Sequence, residues 1–175
     1  MKKPERITIA GAGLVGSLLS VYLGKRGHRV HLIERRPDSR RTSVYQGRSI
    51  NLALSDRGWR ALEEVGADQA VREIAIPMRR RVMHDALGKL TYQDYGKEGQ
   101  AIYSVSRGLL NQRLLDLAEE LPNVRMSFRQ RILSVDQEKA QVMIEEDGDG
   151  QRTIEADWLF GADGAFSQVR SSMMS

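Results

Sequence analysis

The apolar positions of the N-terminal stretch change rhythm three times. Ile7, Ile9 and Ala10 begin a short apolar strand, which Gly11, Gly13 and Gly16 interrupt as G-x-G-x-x-G. Residues 14–25 have helical character, Gly27 ends them, and residues 29–33 return to strand and close on Glu34. Strand, glycine-rich turn, helix, strand and terminal acid predict a βαβ unit. A polar loop follows over 35–47, with Pro37 and the arginines Arg35, Arg36, Arg40 and Arg41, a charge cluster of the kind expected in a solvated loop. Ser55 is placed to cap a helix on which Leu62 and Val65 share a face, with Gly66 at its C-terminal cap.

Further on, 79–85 and 90–95 predict two strands joined by Ala86-Leu87-Gly88-Lys89, and 101–105 another. Ser106 heads a helix over 107–121 with Leu110, Leu114, Leu117 and Leu121 on one face and Pro122 just past its end. Residues 124–128, 131–135, 141–145 and 152–156 predict a run of short antiparallel strands that interrupts the α/β alternation. Asp147-Gly148-Asp149-Gly150 turns between the last two. Residues 158–162 predict a buried strand that runs into Asp163-Gly164 and a short final helix, whose Phe166, Val169 and Met173 need an apolar partner.

The glycine spacing has a chemical reading. Gly11 permits the tight turn, Gly13 lets the backbone approach a pyrophosphate, and Gly16 lets helix and strand pack closely. The helix start offers unpaired N–H groups and partial positive charge to the phosphates. Glu34 follows Gly16 by eighteen residues, where a carboxylate can accept hydrogen bonds from an adenosine ribose. A signal peptide or anchor is the competing reading, since Lys2 and Lys3 precede the apolar run. That run is short and glycine-rich, and Lys25 and Arg26 follow it in place of a small-residue cleavage site.

Composition narrows the classes. With 41% hydrophobic and 29% charged residues, the 175-residue chain has the make-up of a globular protein with a genuine core. The absence of cysteine suits a reducing compartment such as the cytoplasm and removes thiolate catalysis and cysteine metal sites. A net charge of +4 favours anionic partners, but with 6% aromatics and no long basic run nucleic acid is set aside. A dinucleotide and an acidic small molecule are the sharper candidates. His28 and His31 sit at odd spacing on a predicted strand, so they face opposite ways and cannot share a metal, and His84 is a strand surface residue. No nucleophile elbow or metalloprotease motif occurs, and no side chain is assigned as catalytic acid or base. A dinucleotide site without a protein nucleophile fits chemistry carried by a cofactor.

Three segments together, GAGLVG with Glu34, GRSINLALSDRG and FGADGAFSQVR, resemble the FAD-dependent aromatic-ring hydroxylases over residues 7–170. The first motif is common to many nucleotide-binding families. GADG is typical of flavin hydroxylases, and GRSINLALS most resembles the branch that hydroxylates kynurenine. The resemblance implies an α/β fold: a Rossmann-like FAD/NAD(P)-binding domain with an inserted antiparallel β-meander and the first β-hairpin of a substrate domain, to which 79–105 contribute. It implies NADPH and O2 as co-substrates and hydroxylation of L-kynurenine at ring position 3. Members of the family are longer, so the chain is expected to be the N-terminal portion of a longer enzyme.

Carried over by position, the resemblance puts Gly11, Gly13, Val15 and Gly16 around the pyrophosphate and Glu34 on the adenosine ribose, with Arg35 and Arg36 beside it. Arg48 and Ala53 would lie along the pyrophosphate toward the flavin, Arg107 would contact FAD, and Ile132 would sit near the adenine. Asp163, Gly164 and Gln168 would serve the ribityl and nicotinamide side. Arg81 and Tyr95 would hold the substrate's amino-acid carboxylate. An arginine fork matches a carboxylate bidentately and a tyrosine hydroxyl adds a donor.

Overall fold

The computed structural model describes residues 3–42, 51–146 and 150–174. In chain order the elements are β1 (Arg6–Ala10), α1 (Leu14–Lys25), β2 (Arg29–Glu34), β3 (Asn51–Leu54), α2 (Asp56–Glu64), α3 (Asp68–Arg72), β4 (Ile76–Met78), β5 (Arg80–His84) and β6 (Leu90–Asp94). They continue with β7 (Ile102–Ser106), α4 (Arg107–Glu119), β8 (Val124–Phe128), β9 (Gln130–Asp136), β10 (Gln141–Glu146), β11 (Gly150–Glu155), β12 (Trp158–Gly161) and α5 (Gln168–Met173). Two compact units form, one from 1–46 with 111–175 and one from 47–110. Among the described residues no helix is long and apolar enough to cross a membrane.

The first unit is built on a four-stranded parallel sheet in the order β12-β1-β2-β8. Ile7 and Ile9 of β1 stand in register with Val30 and Leu32 of β2, and these four share a core with Leu115 of α4. Ile33 faces the opposite side, where it packs with Val142 and Ile144 of the antiparallel sheet β11-β10-β9. Covering on both faces explains why β1 and β2 are apolar almost without alternation. Each fully buried aliphatic side chain contributes about 1.5–3 kcal/mol. Asn123 Nδ2 ties down the end of α1 by donating to the Gly24 and His28 carbonyls, both at 2.7 Å.

Several expectations are corrected here. Residues 124–128 do not belong to the antiparallel run. They pair parallel to β2, to whose sheet the chain returns through α4 after the elements β3 to β7. Residues 158–162 do not form a buried strand. β12 pairs only with β1 among the described residues, and as an edge strand it leaves Trp158 56% and Phe160 38% exposed. α4 ends at Glu119, and its buried side chains are Leu110, Leu114, Leu115 and Ala118, with Leu117 and Leu121 only half-buried. His28 precedes β2 instead of lying on it. Its Nδ1 is 3.8 Å from the Glu5 carboxylate, while His31 Nε2 meets Ser127 Oγ at 2.8 Å. Phe166 precedes α5 and is exposed, whereas Val169 is buried. The turn expected at Asp147-Gly148-Asp149-Gly150 lies mostly outside the described residues.

The second unit holds the antiparallel sheet β3-β7-β4, of which β3 and β4 were not foreseen as strands. Its core gathers Trp59 and Leu62 of α2, Val65, Val71 of α3 and Val105 of β7. Trp59 meets Tyr103 edge to face, ring centroids 5.2 Å apart. Gly66 ends α2 with φ +65°, as its place in the sequence predicts. Ser55 stands at the α2 N-cap without a side-chain hydrogen bond. β5 and β6 form a separate hairpin in which every residue is exposed.

Candidate functional site

In an open parallel sheet the ligand crevice lies beyond the carboxyl ends of the strands. Here those ends are Ala10 of β1, Glu34 of β2 and Gly161 of β12. The glycine-rich turn is fixed from several directions at once. Gly11 has φ +98°, and a Cβ on it would come within 2.6 Å of the Ala162 carbonyl oxygen. A Cβ on Gly16 would come within 1.9 Å of the Gly11 carbonyl oxygen. The Ala12 N–H donates to Glu34 Oε2 at 2.9 Å, and the Ala12 carbonyl accepts from Ser17 Oγ and Asn111 Nδ2, both at 3.1 Å. Ser17 and Asn111 were not singled out from the sequence. Ser17 sits one residue past the last glycine and was within reach of local reasoning, whereas Asn111 arrives from α4 with no local signal.

Glu34 is buried, and its second oxygen accepts from the Arg36 backbone N–H at 2.9 Å and from Arg36 Nε at 3.1 Å. The carboxylate therefore braces the turn and folds Arg36 back on itself, while Arg35 stays exposed. Arg40 corrects the expectation of a solvated cluster. Its guanidinium, 12% exposed, pairs with Asp38 at 2.7 Å, Glu119 at 2.7 Å and Asp116 at 3.2 Å. Burial alone would raise the Asp38 carboxyl, but the hydrogen bonds and charge of Arg40 prevail and hold it below its ordinary value.

Asp163 is more than a turn residue. Its Oδ1 accepts from Ser167 Oγ at 2.6 Å, and its Oδ2 accepts from the backbone N–H of Gln168 at 2.7 Å and of Val169 at 3.2 Å. It thus caps α5 and locks the loop that approaches Gly11. Gly164 follows in the left-handed region, φ +81°, and Gln168 is exposed at the first turn of α5. Val15 is 69% exposed at the start of α1. Ile132, half-buried on β9, packs against the Ile33, Val142 and Ile144 cluster.

The remaining candidates lie in the second unit or beside it in sequence. Arg48 falls in 43–50, outside the described residues. Ala53 is on β3, in register with Ser104, and Arg107 is exposed at the start of α4. Ser106 Oγ accepts from the Leu109 N–H at 3.5 Å, a long capping contact. Arg81 stands opposite Gln93, and its Nε and Nη2 both donate to Gln93 Oε1, at 2.9 and 2.5 Å. The Tyr95 N–H donates to the Arg79 carbonyl at 2.9 Å, which continues the hairpin ladder by one step. Strand alternation then puts Arg81 and Tyr95 on one face. Tyr95 lines a cavity of about 400 Å³ with Trp59, Arg72, Gln100 and Tyr103. Arg72 stacks over the Trp59 ring at 4.3 Å.

The crevice of the first unit fits a dinucleotide. A Cβ added to Gly13 would meet nothing within 4 Å, so the space above the turn is open. Among the described residues no side chain caps the N-terminus of α1, so its first N–H groups are left for a ligand to pair. Among the described residues no cluster of His, Cys, Asp or Glu is arranged to hold a metal.

Residues 5–174 match the family described as FAD binding domain, and the chain belongs to that family. It is 49% identical to a kynurenine 3-monooxygenase of Flavobacterium johnsoniae, over 99% of this chain and 38% of that protein. A kynurenine 3-monooxygenase of Christiangramia forsetii is 45% identical over the same shares. The chain thus spans little more than a third of the length of these relatives. Among solved structures it resembles a p-nitrophenol 4-monooxygenase of Pseudomonas putida, with a TM-score of 0.83 at 22% identity, over 99% of this chain and 44% of that one. That likeness supports the fold expected from the sequence: a Rossmann-like α/β domain with an inserted antiparallel sheet.

Proposed function

We propose that the chain is the N-terminal, FAD-binding portion of a flavin-dependent monooxygenase that converts L-kynurenine, NADPH, O2 and a proton into 3-hydroxykynurenine, NADP+ and water. The observation that carries the cofactor is the open space over Gly13, set between an uncapped helix start and the buried Glu34 carboxylate. The identity of 45–49% with kynurenine 3-monooxygenases supports the substrate. A cysteine-free chain supports a cytoplasmic setting.

Bound FAD would supply the redox chemistry, taking reducing equivalents from NADPH and activating O2. The chain's own residues bind and orient. The N–H groups at Gly13, Leu14 and Val15, above the close-packed Gly11 and Gly16, hold the pyrophosphate. The Glu34 lone pairs left over from Ala12 and Arg36 receive the adenosine ribose, with Arg35 and Arg36 flanking it and Ile132 near the adenine. Asp163, Gly164 and Gln168 form the wall on the ribityl side. The family resemblance assigns Arg48, Ala53 and Arg107 to the cofactor as well. Residues 79–105 belong to the substrate side, where Arg81 exchanges Gln93 for the amino-acid carboxylate and Tyr95 adds a hydroxyl donor. No residue of the chain is assigned as acid or base.

The test has two parts. Titration of the purified chain with FAD is expected to give saturable quenching of flavin fluorescence; its absence would remove the cofactor assignment. In the longer enzyme, Arg81→Ala is expected to lower kcat/KM for L-kynurenine by about thirty- to a thousand-fold with FAD content unchanged. Equal damage with a decarboxylated kynurenine analogue would show that Arg81 does not read the carboxylate.

A further inference from the structure

At the amino ends of the parallel strands, away from the glycine-rich turn, the first unit has a second cavity, of about 470 Å³. Thr8, His31 and Arg125 stand side by side in register across β1, β2 and β8. Two residues earlier, Arg6 stands beside Arg29. Alternation puts all five on the face that the antiparallel sheet covers. All five line the cavity, and Glu155 of β11 lines its opposite side.

Three guanidinium groups therefore meet one carboxylate. Arg6 is already engaged by Asp157, at 3.1 Å, and Glu155 accepts from Gln141 Nε2 at 3.1 Å. Arg152, on the strand that carries Glu155, is bound to Glu146 at 2.6 Å. Neither Arg29 nor Arg125 has a side-chain partner among the described residues. Solvated arginines are ordinary on a convex surface. Here two of them border a concavity walled by the neighbouring sheet, with the apolar Ile154 and Pro122 beside them. Low-dielectric walls around like charges concentrate positive potential inside such a groove. The neighbouring imidazole is affected by its burial and, second, by these charges. Burial first, then Arg125 and Arg152, push His31 down to about 4, with Glu146 opposing only in part.

We propose that this groove is a phosphate-binding site, taking phosphate or a small phosphomonoester between Arg29 and Arg125, with Thr8 and His31 as its floor. An arginine pair offers two planar forks to one doubly charged oxyanion, which a single exposed cation cannot do. The site is independent of the dinucleotide crevice, which lies at the other ends of the same strands.

The experiment follows the His31 ring signals by NMR while inorganic phosphate, and separately glycerol 3-phosphate, replaces chloride at constant ionic strength and pH 7. Saturable displacement is expected, with half-saturation at or below about 1 mM. The tighter of the two anions identifies free phosphate or an ester as the ligand. The double substitution Arg29→Ala, Arg125→Ala should weaken binding by about ten-fold or more, and Arg125→Lys by less, since it keeps the charge and loses the fork. Lys139→Ala, on an exposed turn of the antiparallel sheet, should leave binding unchanged. Amide dispersion reports whether each variant is folded, and Arg125→Lys carries the test if the double variant is not. Displacement that is absent, that merely tracks ionic strength, or that survives loss of both arginines would overturn the site.

Discussion

The glycine-rich turn and the β5–β6 hairpin hold their candidate residues by opposite means. At the turn, atoms of β1, β2, α1, α4 and the loop after β12 converge. Gly11 abuts the Ala162 carbonyl, and Glu34 and Asn111 clamp the two polar groups of Ala12. In the hairpin every residue is exposed, and among the described residues the Arg81 guanidinium is oriented by Gln93 alone across the ladder. A two-stranded hairpin without a buried face is marginal in water. The turn is therefore preorganised by its own fold, whereas the arginine fork is preorganised only as far as one neutral amide can hold it. The contrast teaches that a glycine-rich turn can be preorganised by its own unit while an exposed arginine fork depends on what comes to meet it.

The largest expected effect breaks the turn from inside. Gly16→Ala puts a Cβ within 1.9 Å of the Gly11 carbonyl oxygen, backbone against backbone, with no flexible side chain to yield. A loss of about 3 kcal/mol is expected in urea denaturation of the chain. Gly13→Ala is the counterpart. Its Cβ meets nothing within 4 Å and its φ of −74° suits alanine, so stability should hold to within about 0.5 kcal/mol. FAD affinity should nonetheless fall ten-fold or more, because the methyl occupies the space assigned to the pyrophosphate. If Gly13→Ala binds FAD normally, the open space is not the phosphate seat.

Next comes Arg40, the arginine that differs most from Arg81. Arg40→Met removes the partner of a buried Asp38, and about 2–3 kcal/mol of stability should go with it. The effect should depend on pH in a definite direction. Asp38 is held below its ordinary value in the folded chain, so its contribution is present above that ordinary value and is lost as pH falls through the lower folded one. The stability gap between the native chain and Arg40→Met should therefore be full at pH 7 and shrink below about pH 4. A gap that is flat with pH would mean that the charge of Asp38 is not what Arg40 stabilises.

The two regions were also unequally legible in the sequence. Gly11, Gly13, Gly16 and Glu34 form a local pattern whose spacing is dictated by one turn, one helix and two strands, so reading the chain in order suffices. The clamp by Asn111 and the Asp38–Arg40–Glu119 network join residues far apart in the chain, and no periodicity announces them. For the same reason β8 was read with the wrong sheet. Five alternating residues state a strand but not which neighbour it will choose. β12 was misjudged because an apolar run predicts burial, whereas an edge position buries less of it. Arg81 and Tyr95 drew their meaning from resemblance alone, since an exposed hairpin imposes no pattern that singles out one arginine of three.

Glu34 tests whether the brace and the ribose contact are one device. Glu34→Gln keeps an oxygen for one of the two groups of donors but turns an N–H toward the other. About 1–2 kcal/mol of stability should be lost. Glu34→Ala should in addition weaken FAD binding by about 1.5–3 kcal/mol, measured by fluorescence titration under conditions where the variant is folded. Normal FAD affinity in a folded Glu34→Ala would leave the carboxylate as a brace only.

The smallest expected effect belongs to the hairpin. Arg81 is exposed, its guanidinium donates to the Gln93 amide alone among the described residues, and a surface contact of that kind adds little to folding. Arg81→Ala in the 175-residue chain should therefore change urea stability by less than about 0.5 kcal/mol. Under the function proposed above, the same substitution should cost a longer enzyme most of its efficiency on L-kynurenine, so stability and activity would separate at this residue. Hydrogen exchange gives an independent view. Amides of β5 and β6 should exchange well before those of β1 and β2, because opening the hairpin exposes far less buried apolar surface than opening the parallel sheet. Gln93→Ala sharpens the point by releasing the guanidinium without removing it. If Arg81 exchanges the amide for a carboxylate, Gln93→Ala should leave kynurenine binding equal or tighter. If binding weakens instead, Gln93 positions the fork and the hairpin is more preorganised than its exposure suggests. A loss of more than about 1 kcal/mol in Arg81→Ala would count further against the contrast, since that arginine would then hold the hairpin together rather than wait for a ligand.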